Sequence, residues 1–149
     1  MNRSPRQPSR RTATTLCLGT IALAVTACAM PPAGSPPSAA SLTGTEWRLT
    51  ALGSDAALPQ PLATLTFPES GRVAGHTSCN RFFGSVSVEG TTIRFNQLGA
   101  TRMACIGPAD AQERRVLKSL ESANRFELSG DTLVIHAPGS DTLRYTRTK

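Results

Sequence analysis

From residue 42 to residue 149 apolar and polar positions alternate with a period of two, interrupted at short intervals by Gly, Pro, Ser and Asp. A period of two puts successive side chains on opposite faces of extended backbone, so the pattern predicts a series of short antiparallel strands. Trp47, Leu49 and Ala51 alternate with Arg48 and Thr50, and Leu65 and Phe67 alternate with Thr64 and Thr66. Pro68, Glu69, Ser70 and Gly71 then turn the chain into a strand over residues 72–75. Phe82, Gly84, Val86 and Val88 share one face, and Glu89-Gly90 opens a hairpin whose return strand carries Ile93 and Phe95. Phe126 with Leu128, Leu133 with Ile135, and Leu143 with Tyr145 mark three further strands, separated by Gly- and Asp-containing turns.

Residues 108–123 follow a different period. Val116, Leu117, Leu120 and Ala123 recur at helical spacing, while Arg114, Arg115, Lys118 and Glu121 occupy the rest of the wheel. Pro108 suits a first turn, and Asp110 and Glu113 lie near the positive end of the helix dipole. The expected fold is mainly β: a small antiparallel curved sheet or barrel of about eight short strands, with one amphipathic helix packed on it. Residues 42–149 are the size of one small domain, and neither a repeat nor a second domain is visible.

The first 27 residues read as an address. Arg3, Arg6, Arg10 and Arg11 form a basic segment without acidic residues, and an apolar run from Leu16 to Val25 ends in Val25-Thr26-Ala27-Cys28. That order marks a secretory signal peptide. The apolar run is about half of the roughly 20 residues needed to cross a bilayer as a helix, which disfavours an uncleaved anchor. The final four residues resemble a bacterial lipobox, which implies cleavage before Cys28 and lipidation of its thiol. By the sorting pattern of such lipoproteins, Ala29 favours the periplasmic face of the outer membrane. Residues 28–41 are rich in Pro, Ala and Ser and read as a disordered tether between lipid and domain.

Charge changes meaning once the leader is set aside. The whole chain has 16 Lys and Arg against 10 Asp and Glu, a net +6, but four of the arginines belong to the leader. What remains is 12 against 10, a net +2, and no basic stripe interleaved with aromatics is left for nucleic acid. No cofactor motif is present. His76, Cys79 and Cys105 supply at most three metal ligands where structural zinc takes four.

Cys17 lies in the leader and Cys28 accepts the lipid, leaving Cys79 and Cys105 in the domain. An even pair in an exported domain reads as a disulfide, with two buried thiols or a reactive cysteine as the alternatives. Cys79 as a nucleophile with His76 as its base is disfavoured by spacing, since residues three apart on a strand point to opposite faces.

The segment Gly75-His76-Thr77-Ser78-Cys79-Asn80-Arg81-Phe82-Phe83-Gly84, followed by Thr101-Arg102-Met103-Ala104-Cys105 and then Glu113, resembles the META domain family of HslJ-type heat-inducible envelope proteins. Residues 42–49, with Trp47, are similar to the family's opening strand. The chain departs from the pattern at Ser78, where many members carry Gly, which bears on the backbone conformation there. The resemblance implies a compact antiparallel β domain with one helix, exported or lipid-anchored, associated with heat response, envelope stress and drug tolerance. It carries no catalytic residues.

The matched residues are therefore read physically. Asn80 and Thr101 are expected to pair with backbone groups where strands bend. Gly75 and Gly84 allow turns or close strand approach. Trp47 and Phe82 fill the core. Met103 belongs to the motif, and Arg81 and Arg102 are candidate contacts for an acidic partner. The functional expectation is a non-enzymatic envelope-stress or protein-interaction module, held to a membrane by its lipid and contacting another envelope protein. A small-ligand-binding barrel and a thiol enzyme using Cys79 are the alternatives.

Overall fold

The computed structural model describes residues 38–148. Cys28, the leader, and all but the last few residues of the expected tether lie outside them. The chain begins with a short helix α1 (Ala39–Leu42), followed by strands β1 (Thr45–Leu52), β2 (Asp55–Ala56), β3 (Ala63–Phe67), β4 (Arg72–Thr77), β5 (Arg81–Glu89) and β6 (Thr92–Ala100). Helix α2 (Pro108–Glu121) leads to β7 (Arg125–Ser129), β8 (Thr132–His136) and β9 (Leu143–Arg147). Since α1 covers residues 39–42, the ordered domain starts slightly before the expected boundary at residue 42. Leu42 explains why: it is buried in the core, and Gly44 N–H donates to Phe67 O at 2.7 Å.

All strand pairings are antiparallel, in the order β2-β1-β3-β4-β5-β6-β7-β8-β9, and β1 also pairs with β9. That last pairing closes eight strands into a barrel and leaves β2 as a short extra strand on β1. Closure removes the unpaired edges that an open sheet of this length would present.

The barrel interior is filled by side chains. Trp47, Tyr145, Phe82, Phe126, Leu65, Ile93, Leu133, Ile135 and Leu143 are all nearly or wholly inaccessible. Side chains fill the centre of small barrels of this strand number, and these residues do so here. The Trp47 indole N–H donates to Thr45 Oγ1 at 2.7 Å, so its one polar atom is satisfied.

Two irregularities shift the simple alternation. In β1 the register with β9 slips between Leu49 and Ala51, so Leu52 rather than Ala51 points into the core. In β5 and β6 the register slips between Phe83 and Ser85, and Gln97 takes a left-handed φ of 52°. A Cβ on Gly84 would lie 2.9 Å from Asn96 O at this bulge, so only glycine lets the two backbones approach.

The two barrel ends differ. The starts of β1 and β4 and the ends of β3 and β5 share the end where α1 enters. The β4–β5 turn, the segment 101–107 and the start of α2 share the opposite end. Val116 and Leu120 anchor α2 in the core there. Among the described residues no helix is long and apolar enough to cross a membrane.

Candidate functional site

The motif residues far apart in sequence converge at the α2 end. Cys79 and Cys105 form a disulfide, which ties the β4–β5 turn to the segment before α2. Thr77, Ser78, Cys79 and Asn80 make up the turn and are all buried. Thr77 N–H closes it by donating to Asn80 O at 2.9 Å.

Asn80 is the hub. Its Oδ1 accepts from Met103 N at 2.7 Å and from Thr101 Oγ1 at 2.8 Å. Its Nδ2 donates to Met103 O at 3.2 Å and to Glu113 Oε1 at 3.1 Å, and lies 3.2 Å from Cys79 Sγ. Rotating the amide by a half turn would set Oδ1 against two acceptors, so the network fixes its orientation. Thr101 Oγ1 also accepts from Arg81 N at 3.2 Å, and Thr101 N donates to Arg81 O at 2.9 Å. The loop after β6 is thereby held against β5 as though the ladder continued.

Glu113, in the first turns of α2, completes the cluster. Its Oε2 accepts from Thr77 Oγ1 at 2.6 Å and from Asn80 N at 2.9 Å. Its neighbour Gln112 is buried and bridges two loops: Oε1 accepts from Leu58 N at 2.9 Å and Nε2 donates to Ser78 Oγ. Ser78 has φ 83°, a left-handed conformation that disfavours a side chain. Its position is held by three bonds: the amide donates to His76 Nδ1 at 3.1 Å, Oγ donates to Pro61 O at 2.6 Å, and Gln112 reaches Oγ. The positive φ is the physical reason why glycine would suit this position better than a residue with a side chain.

A second clamp lies further along α2. Arg115 grips Asp141 with Nε at 2.7 Å and Nη2 at 3.0 Å, reaches Asp55 at 3.0 Å, and donates to Leu52 O at 3.2 Å. The Arg115 hydrogen bonds hold the Asp141 carboxyl below the usual carboxylate range, and Asp141 in turn raises the guanidinium. Nearby, Ser119 Oγ is buried without a partner among the described residues.

The other sequence-derived residues are placed as follows. Trp47 and Phe82 are core residues outside this cluster. Gly75 packs beneath the Phe82 ring, where a Cβ would lie 2.6 Å from a ring carbon. Met103 joins the cluster only through its backbone; its side chain is 60% exposed. Arg81 and Arg102 are exposed on the same end of the barrel. Cys79 is consumed by the disulfide, and His76 Nδ1 faces the Ser78 amide, so the two are not arranged as base and nucleophile. The roles of Gln112 and Arg115 were not legible beforehand, because a polar residue on a helix wheel does not reveal which loop it will meet.

Fold and site together define a small closed β-barrel capped at one end by a helix, the cap being fastened by a disulfide and a saturated polar cluster. The family model for the META domain matches residues 40–149, and the chain belongs to that family. An NMR structure of a protein from Burkholderia xenovorans superposes with a TM-score of 0.65 at 26% identity, covering 80% of this chain and 94% of that one. A second NMR structure shares the fold with a TM-score of 0.64 at 20% identity, covering 74% of this chain and 94% of that one. No curated protein matches the sequence significantly.

Proposed function

We propose that this META-domain protein is a lipid-anchored module of the periplasmic face of the outer membrane that acts by binding another envelope protein, without catalysis, in the envelope stress response. The observation that carries the proposal is the state of the motif cluster. Each polar atom of Asn80 and Glu113 is used in holding α2 and two loops together, and both domain thiols are in one bond. A cluster saturated within itself stabilises a surface and leaves no activated nucleophile or base.

The surface it stabilises has the composition of a contact region. Among the described residues, Phe83, Met103, Ile106 and Leu62 are the large apolar side chains left exposed, and all lie towards the α2 end or on the strands leading to it. Arg81 lines the same cleft as Phe83, and Arg102 adjoins Met103 in the exposed segment 101–104. Exposed apolar groups beside arginine favour protein contacts. The chain enters the barrel at the opposite end, through α1.

Intact mass of the protein from the outer-membrane fraction, alkylated with and without reduction, tests anchor and disulfide together. The expected mass is that of a chain starting at acylated Cys28, with two thiols that react only after reduction. Cross-linking in cells is expected to trap one discrete protein. A soluble, unlipidated species, or capture of abundant porins alone, overturns the proposal.

A further inference from the structure

Phe83 is the one exposed aromatic in the domain: the other six aromatic side chains are at most 6% accessible, whereas Phe83 is 59% accessible. One side of its ring covers Gly99 on the neighbouring strand, with ring carbons 3.1 and 3.2 Å from where a Cβ would stand. The other side forms the wall of an open cleft of about 440 Å³ on the outer face of β3, β4 and β5. Register explains the concavity. Thr64, His76 and Arg81 lie side by side on adjacent strands, and Ala74 lies beside Phe83. Small side chains at 64 and 74 make a floor, and Phe83, His76 and Arg81 stand around it.

The walls offer a definite chemistry. His76 Nδ1 accepts from the Ser78 amide, so the neutral ring carries its proton on Nε2, which is left to donate to a ligand. Among the described residues no carboxylate pairs with the Arg81 guanidinium; the ion pairs use Arg72, Arg114, Arg115, Arg125, His136 and Arg147. A planar cation and an imidazole N–H beside an aromatic wall suit a carboxylate carried next to an apolar side chain.

We infer that this cleft binds a peptide carboxylate flanked by an apolar side chain, and that it is the anchor point for the partner of the interaction module. The inference rests on the reading of the protein as a binding module and adds the chemistry of what it binds. The carboxylate belongs to a chain terminus or to an acidic side chain, and the two sources are separable by experiment.

The test is an NMR titration with three probes: N-acetyl-Ala-Phe as the free acid, the same dipeptide as its amide, and N-acetyl-Ala-Glu-Phe amide. The expected result is saturable shifts at His76, Arg81, Phe83 and Thr64 with at least one carboxylate probe and none with the neutral amide. Response to the free acid alone identifies a chain terminus, and response to the Glu peptide alone identifies an internal acidic residue. Arg81→Gln, at an exposed strand position, is expected to weaken binding about tenfold. Arg94→Gln, on an exposed part of β6 outside the cleft, is expected to leave binding unchanged. Equal response to the neutral amide, no response to any probe, or equal losses for both variants overturns the inference. If the cleft fails while cross-linking in cells still traps a partner, only the cleft assignment falls; if both fail, the interaction reading falls with it.

Discussion

Asn80 and Glu113, 33 residues apart, are joined twice: the Asn80 main-chain N–H donates to Oε2 at 2.9 Å and its side-chain Nδ2 donates to Oε1 at 3.1 Å. One residue ends a strand turn and the other sits in the first turns of α2. Their pairing decides where the helix crosses the barrel end. Every donor that meets the carboxylate comes from the turn, so the carboxylate is an acceptor only, and an amide cannot replace it.

Glu113→Gln tests this directly. The substitution keeps the shape but sets an NH₂ against donors from Thr77 and Asn80, so one contact is lost and a buried N–H is left unpaired. Destabilisation by about 2 kcal/mol is expected in urea unfolding. A change below a few tenths of a kcal/mol would show that the helix is placed by its apolar contacts alone.

Ser78 separates backbone strain from hydrogen bonding. Ser78→Ala keeps the left-handed φ and removes the hydroxyl that serves Pro61 O and Gln112 Nε2. Ser78→Gly removes the same hydroxyl but relieves the strain. Alanine is expected to cost about 2 kcal/mol and glycine to recover about 1 of it. Alanine matching or exceeding glycine in melting temperature would refute the strained geometry.

The disulfide spans a sequence separation of 26 residues, for which loop-closure entropy gives about 3 kcal/mol. The paired change Cys79→Ser and Cys105→Ser should lower stability by that amount. Its effect should fall first on the segment 101–107, seen as faster amide exchange there than in the β7–β9 strands.

The strands and α2 were legible because their apolar residues follow the two periods that strand and helix impose. Closure was not, because the β1–β9 pairing joins the two ends of the domain and no local pattern reports it. Ala51 was misplaced for a related reason: a bulge shifts the alternation by one residue, and its position depends on the partner strand. The site was legible at Cys79, Asn80, Thr101 and Cys105, whose types in that spacing form a motif. Gln112 and Arg115 were hidden, since their partners Leu58, Ser78 and Asp141 come from three separate loops and Asp55 from the short strand β2.

The Arg115–Asp141 pair sets part of the acid stability. Because Arg115 lowers the folded-state pKa of Asp141, the pair stabilises the fold above the unfolded carboxylate value of about 3.9, and that stability is lost as pH falls through the folded value. The side chains are 39% and 29% accessible, so solvent screening limits the effect to about 1 kcal/mol. Asp141→Asn should therefore be less stable than the parent at neutral pH and converge towards it as pH falls below the unfolded carboxylate value of about 3.9 and through the lower folded value. An equal gap at both pH values would assign the loss to geometry and not to charge.

Ser119 offers the opposite case, a polar group whose removal should help. Its side chain is fully buried on the inner face of α2, and Oγ has no hydrogen-bond partner among the described residues. Burying an unpaired hydroxyl costs free energy that no contact returns, and serine is also a poorer helix former than alanine. Ser119→Ala removes both costs and leaves a space of only one oxygen atom. Stabilisation by about 1 kcal/mol is expected, seen as a higher urea midpoint with an unchanged slope. Destabilisation instead would mean that the hydroxyl meets an internal water, and that α2 is held over the barrel by one more polar contact than its side chains provide among themselves.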